Sequence, residues 1–131
     1  MAPYKYDPGV NRWRHHWHFR YAGFRPDTKS GARGKCSCAI TQEIAQALLD
    51  NAVPGTVLKG GHPAEFYAVY EGEVYVAVPT VLGQSYHGYP WRGDCNPNQF
   101  LPQKLIEALA ACAAKAGDAK RFKVWMKKYH P

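Results

Sequence analysis

His16 and His18 stand two positions apart and are bracketed by Arg14 and Arg20. On an extended strand that spacing puts both imidazoles on one face, with Cα atoms about 6 to 7 Å apart. A neutral imidazole can take up a proton while its charged partner releases one, and guanidinium groups can hold phosphoryl charge. Such a set suits metal-independent RNA cleavage, in which the ribose 2′-hydroxyl serves as internal nucleophile and no carboxylate metal cage is needed. The plainer reading of the same four residues is a polar outward face on an edge strand.

A second cluster falls in residues 85–92, where Tyr86, His87, Tyr89, Trp91 and Arg92 stand together with Gly88 and Pro90. Read as a loop, this segment could stack Tyr86, Tyr89 or Trp91 on exposed bases, place Arg92 on a phosphate and use His87 for proton transfer. The alternative is that the rings lid a core. His62, between Gly61 and Pro63, could join Lys59 in a site of its own, but a lone turn histidine is weak support.

The four cysteines permit two further chemistries. Cys36 and Cys38 form a Cys-x-Cys pair that, with Cys95 and a histidine, could make a tetrahedral zinc site, although the paired knuckles of strong zinc motifs are missing. Either Cys36 or Cys38, ahead of a helix and near Lys35, could also be a nucleophile followed in the chain by His62 or His87. That arrangement resembles papain-like hydrolases in chain order and helix placement alone. Cys112 falls within a helical pattern and reads as core. No complete nucleotide-binding, zinc-protease or calcium-loop motif is present, so no cofactor is expected.

Charge narrows the partner class. The chain carries 17 Lys and Arg against 10 Asp and Glu, a formal charge of +7. Residues 1–35 hold eight bases and two acids, 36–103 two bases and six acids, and 104–131 seven bases and two acids. Two basic ends folded onto one side would attract a polyanion and release its condensed counterions. RNA or single-stranded nucleic acid is the expected partner, a protein partner is the alternative, and a solubilising surface is the bland explanation. Small size and basic charge also resemble toxin ribonucleases, a likeness of bulk properties only.

The elements that must hold these groups follow from periodicity. Over 12–21 the residues alternate, with Trp13, His15, Trp17, Phe19 and Tyr21 on one side and Arg12, Arg14, His16, His18 and Arg20 on the other, which predicts a strand. An irregular arm is expected over about residues 1–11 and a mobile basic loop over about 25–37. Ile40, Ile44, Ala47 and Leu48 predict a helix over about 41–51 with Thr41 as N-cap. Residues 65–70 and 73–78 flank Glu71-Gly72 as a hairpin, 56–59 could pair alongside, and 79–97 reads as irregular. Leu105, Ile106, Leu109, Ala110 and Ala113 mark a second helix after Pro102; Gly117 ends it, and Asp118 can cap a third carrying Phe122, Trp125, Met126 and Tyr129 inward. The expectation is one α+β domain over 1–131, a small antiparallel sheet packed with about three short helices. No run of about 18 apolar residues and no apolar leader core occur, so neither a membrane partner nor secretion is expected, and the cytoplasm is the expected compartment.

Overall fold

The structure, a computed structural model, describes residues 4–7, 21–27, 31–37, 39–92 and 101–129. In chain order the elements are β1 (Lys5–Tyr6), β2 (Gly23–Asp27), β3 (Gly31–Lys35), α1 (Gln42–Asp50), β4 (Val53–Pro54), β5 (Leu58–Lys59), β6 (His62–Pro63), β7 (Phe66–Tyr70), β8 (Glu73–Val81), β9 (Ser85–Pro90), α2 (Gln103–Lys115) and α3 (Ala119–Tyr129). A five-stranded sheet in the order β1-β9-β8-β7-β4 is joined by the two-stranded ribbons β2-β3 and β5-β6. The class is α+β, as expected. The sheet is mixed rather than purely antiparallel, because β1 runs parallel to β9.

The central hairpin forms where the turn chemistry places it. Glu71 and Gly72 both take left-handed backbone, at φ 52° and 81°, the conformation that a two-residue turn needs to match strand twist. At Gly72 a side chain would also meet Arg121 Cβ at 2.5 Å, so α3 is seated directly on this turn. Thr41 Oγ1 accepts from the Ile44 backbone N–H at 3.2 Å and caps α1 as predicted. Gly117, at φ 84°, ends the turn between α2 and α3.

Pairing register divides the sheet into two faces. Phe66 opposes Ala77, Ala68 opposes Tyr75 and Ala77 opposes Gly88, so these residues share one face; Tyr67, Val69, Val74, Val76, Val78, His87 and Tyr89 share the other. On the first face Ala45, Leu48 and Leu49 of α1 close over Phe66, Ala68, Tyr75 and Ala77, leaving an apolar cavity of about 40 Å³ that Cys36 and Tyr6 also line. α2 packs against β7, and α3 against β8. Val74, Leu109 and Ala113 lose all solvent exposure in the resulting core. Removing the Leu109 side chain beyond Cβ would cost about 2 to 5 kcal/mol.

Several expectations need correction. The described part of the arm is the edge strand β1, and α1 closes its outer side: Gln46 Oε1 accepts from Tyr6 N–H at 2.8 Å, and Gln46 Nε2 and Gln42 Nε2 donate to the Tyr4 and Tyr6 carbonyls. The basic loop is instead the ribbon β2-β3, whose register runs from Gly23 opposite Lys35 to Asp27 opposite Gly31. It is Val53–Pro54, rather than 56–59, that pairs with β7; Leu58–Lys59 pairs with His62–Pro63. Cys112 is exposed, because the buried stripe of α2 is Leu105, Leu109 and Ala113 and position 112 falls at its margin. The strand predicted over 12–21 lies outside the described residues except at Tyr21.

Candidate nucleic-acid interface

The segment expected to be irregular, 79–97, is strand through its first part. β8 continues to Val81, turns at 82–84 and returns as β9, with a register irregularity between Pro79 and Val81. Alternation along β9 then separates the clustered aromatic residues. Tyr86 turns to the α1 face, has no exposure, and donates from its hydroxyl to the Pro63 carbonyl at 2.6 Å. Trp91 is likewise buried, its backbone N–H bonded to the Val74 carbonyl at 2.9 Å. With their rings covered by protein, Tyr86 and Trp91 have no free face for a base, so the stacking expected of them gives way to packing.

His87 and Tyr89 point the other way. Thr80 Oγ1 and His87 Nδ1 share a hydrogen bond of 2.8 Å at an exposed position. Where Nδ1 donates, Nε2 keeps its lone pair outward and can act as a base; in the other tautomer Nε2 is the donor. Tyr89 opposes Val76, which opposes Tyr67, so the two phenols lie on one face about 10 Å apart, one strand to either side of Val76. Tyr67 donates to Glu65 Oε1 at 2.9 Å. Burial, with the Glu65 carboxylate nearby, pushes the Tyr89 phenol above its ordinary range. At neutral pH Tyr89 is therefore a hydrogen-bond donor.

The cationic contribution comes from α3. Phe122, Trp125 and Tyr129 are its buried stripe, and Lys120, Arg121, Lys123, Lys127 and Lys128 are all exposed, with no acid anywhere in the helix. Arg121 is partly offset by Glu71, at 3.6 Å between partly exposed groups, a pair worth little in water. The Arg92 guanidinium lies over the Tyr129 ring at 5.5 Å from its centroid, and Lys128 Nζ sits at 5.2 Å from the same centroid. Arg92 thereby joins the end of β9 to the end of α3. Along an extended strand His87 would lie roughly 16 Å from Arg92.

Of the residues expected to act, then, His87, Tyr89 and Arg92 belong to one strand and its exit, while Tyr86 and Trp91 are core. His16, His18, Arg14 and Arg20 lie outside the described residues, as do Cys38 and Cys95. Cys36 is buried against the apolar cavity, which leaves its thiol little access to a substrate. Among the described residues no group of three or more metal-ligating side chains gathers. His62 pairs across β5-β6 with Lys59, and its Nδ1 is engaged by the Tyr4 hydroxyl at 2.9 Å.

Sequence reasoning missed Glu73. It lies on the α1 face of the sheet, is buried, and accepts from the Ala22 backbone N–H at 2.9 Å at the floor of a groove walled by Tyr21, Arg121, Trp125 and Tyr129. Burial, the largest influence, pushes its carboxyl up to about 7. The signal was faint, since Glu73 sits one residue beyond a turn where charges are ordinarily solvated. Compared with known proteins, the chain matches no family model, no curated protein and no solved structure.

Proposed function

We propose that this protein binds RNA or single-stranded nucleic acid, with the cationic face of α3 as the phosphate-binding surface and Arg92, Tyr89 and His87 as its continuation onto the sheet. The observation that carries the reading is the display of five exposed cations on one short helix with no acid among them. Such a surface neutralises phosphates and releases counterions. Tyr89, half-buried beside Arg92's strand exit, supplies a ring against which a base can stack.

The test is retention of a labelled single-stranded RNA across a range of salt. Affinity should fall steeply between low and physiological ionic strength, and Lys123→Glu with Lys127→Glu should lower it by at least about tenfold while flattening the salt dependence. Salt-independent affinity, or affinity indifferent to that charge reversal, would refute the proposal.

A second reading, metal-independent cleavage, is favoured by the Thr80–His87 hydrogen bond, because a fixed imidazole is what general acid–base chemistry requires. In such a reaction the 2′-oxygen bonds to phosphorus as a base removes its proton. The bond to the 5′-oxygen breaks as an acid protonates it, leaving a cyclic phosphate. Fragment length measured in the same incubation, with and without EDTA, separates the two readings. A nuclease should cleave in EDTA, and His87→Ala should abolish cleavage yet keep most of the retention. A binding module should leave the RNA intact.

A further inference from the structure

Among the described residues the large hydrophobic side chains left exposed are Tyr21, Val57, Leu58, Val81, Leu82 and Val124. Four of them stand at the β5-β6 and β8-β9 turns, which lie together: a Cβ on Gly60 would be 2.8 Å from Leu82 Cδ2. The other two, Tyr21 at 46% and Val124 at 65% exposed, line the groove whose floor is Glu73. That groove has a volume of about 360 Å³. Small-ligand sites run from roughly 300 to 1,000 Å³.

Its floor and walls are tied to one another. The turn residue before Glu73, Gly72, leaves no room for a Cβ beneath α3, and the Ala22 N–H fastens the approach to β2 onto the Glu73 carboxyl at 2.9 Å. A carboxylate has about four acceptor positions on its two oxygens, so this bond leaves Glu73 able to accept more. Charge at the rim is mixed. Arg121 and Lys128 line the groove from α3, and Glu71 lines it from the turn, 3.6 Å from Arg121. Glu71 and Glu73 thus balance the two bases within the groove, while Lys120, Lys123 and Lys127 continue α3 outside it with no acid in the helix. An organic cation gains little where the charges cancel, and the lysines around the groove repel it. The matching occupant is uncharged where it meets Glu73 and anionic where it leaves, which is the form of a base flanked by phosphates.

Bases differ in what they offer an ionised carboxylate, which only accepts. Guanine presents N1–H and N2–H side by side on its Watson–Crick edge. Adenine and cytosine set an amino group beside a lone pair, and uracil has one N–H between two carbonyls. Two parallel donors match the two carboxylate oxygens. We infer that the groove over Glu73 is a guanine pocket, in which Glu73 accepts from N1–H and N2–H, Tyr21 and Val124 cover the ring, and the α3 lysines hold the flanking phosphates. The inference rests on the nucleic-acid reading and adds a base preference to it. Stacking on Tyr21 serves every base, so the preference resides in Glu73.

Fluorescence anisotropy with labelled RNA octamers tests the pocket, using one octamer of uridine alone and three that carry a single guanosine, adenosine or cytidine at the fourth position. At pH 8 the guanosine octamer should bind at least about tenfold more tightly than the other three. Glu73→Gln, which has one acceptor oxygen in place of two, should cancel most of that preference, and Tyr21→Ala should weaken the guanosine octamer by at least about fivefold. Lys123→Glu with Lys127→Glu should weaken all four octamers and keep their order. The described charged and titratable groups facing Glu73 are Arg121 and Lys128 on α3, Glu71 on the turn, and the Tyr21 and Tyr129 phenols. With the Glu73 carboxyl raised to about 7, the guanosine preference should shrink from pH 8 to pH 6 as that group takes up a proton. Four octamers of equal affinity, bound with a steep salt dependence, overturn the guanine pocket and leave the phosphate-binding surface standing. Retention of none of them overturns both. A guanosine preference that survives Glu73→Gln overturns the role given to Glu73, and a preference for adenosine or cytidine overturns guanine as the occupant.

Discussion

The Ala22 backbone N–H donates to Glu73 Oε1 at 2.9 Å, joining the start of β2 to the central hairpin across 51 positions of chain. This bond and the Arg121 charge favour the carboxylate, yet burial outweighs both, and Glu71 adds to it, so the group titrates near 7 against an ordinary value of about 4.5. Because the folded state holds this proton more tightly, its contribution to stability is full below about pH 4.5 and is lost as pH rises through about 7. Glu73→Gln keeps an acceptor for Ala22 and removes the charge. Urea denaturation should find the variant more stable than the wild type above pH 7, by up to about 3 kcal/mol, with the difference vanishing toward pH 4. A difference that does not change with pH would show that Glu73 keeps an ordinary carboxyl.

Tyr86 and Tyr89, three positions apart on β9, should respond oppositely. Tyr86→Phe removes the bond to the Pro63 carbonyl and should cost about 1 to 2 kcal/mol of stability with no change in RNA retention. Tyr89→Ala should weaken retention by about 1 to 3 kcal/mol if its ring stacks on a base. Denaturant melts and RNA titrations on the same two variants decide the matter. Loss of RNA affinity in Tyr86→Phe beyond its loss of stability would mean that the Tyr86 hydroxyl and the Pro63 turn it holds serve the RNA site.

Gly72 and Gly117 share left-handed backbone, at φ 81° and 84°, but not surroundings. A Cβ on Gly117 meets nothing within 4 Å, whereas one on Gly72 strikes Arg121 and the Phe122 amide. Gly117→Ala should therefore cost about 1 kcal/mol from backbone strain alone, and Gly72→Ala distinctly more, because α3 must shift off the turn. Equal losses in thermal melts would show that α3 is not held against the hairpin.

The helices and the hairpin could be read from local patterns because local physics decides them. Thr41 caps α1 with its own hydroxyl, Gly117 supplies the left-handed turn after α2, and Glu71-Gly72 selects the hairpin. The 79–97 stretch reads as irregular because its prolines and glycines resemble loop punctuation, while β8 lends β9 a pairing partner that no nearby residue announces.

Residue types and spacing determined the α+β class, the inward stripe of α3 with its lysines outside, and the presence of imidazole, phenol and guanidinium groups within 85–92. Tertiary structure alone decided which of those groups face outward. Strand alternation sends Tyr86 under α1 and His87 to Thr80, and only pairing across the sheet sets which side is covered. Placement of Glu73 beneath Ala22, of Arg92 on Tyr129, and of two apolar turns side by side likewise depends on contacts distant in sequence. A one-dimensional pattern specifies how side chains alternate, but the face that meets solvent is settled by what packs against the other.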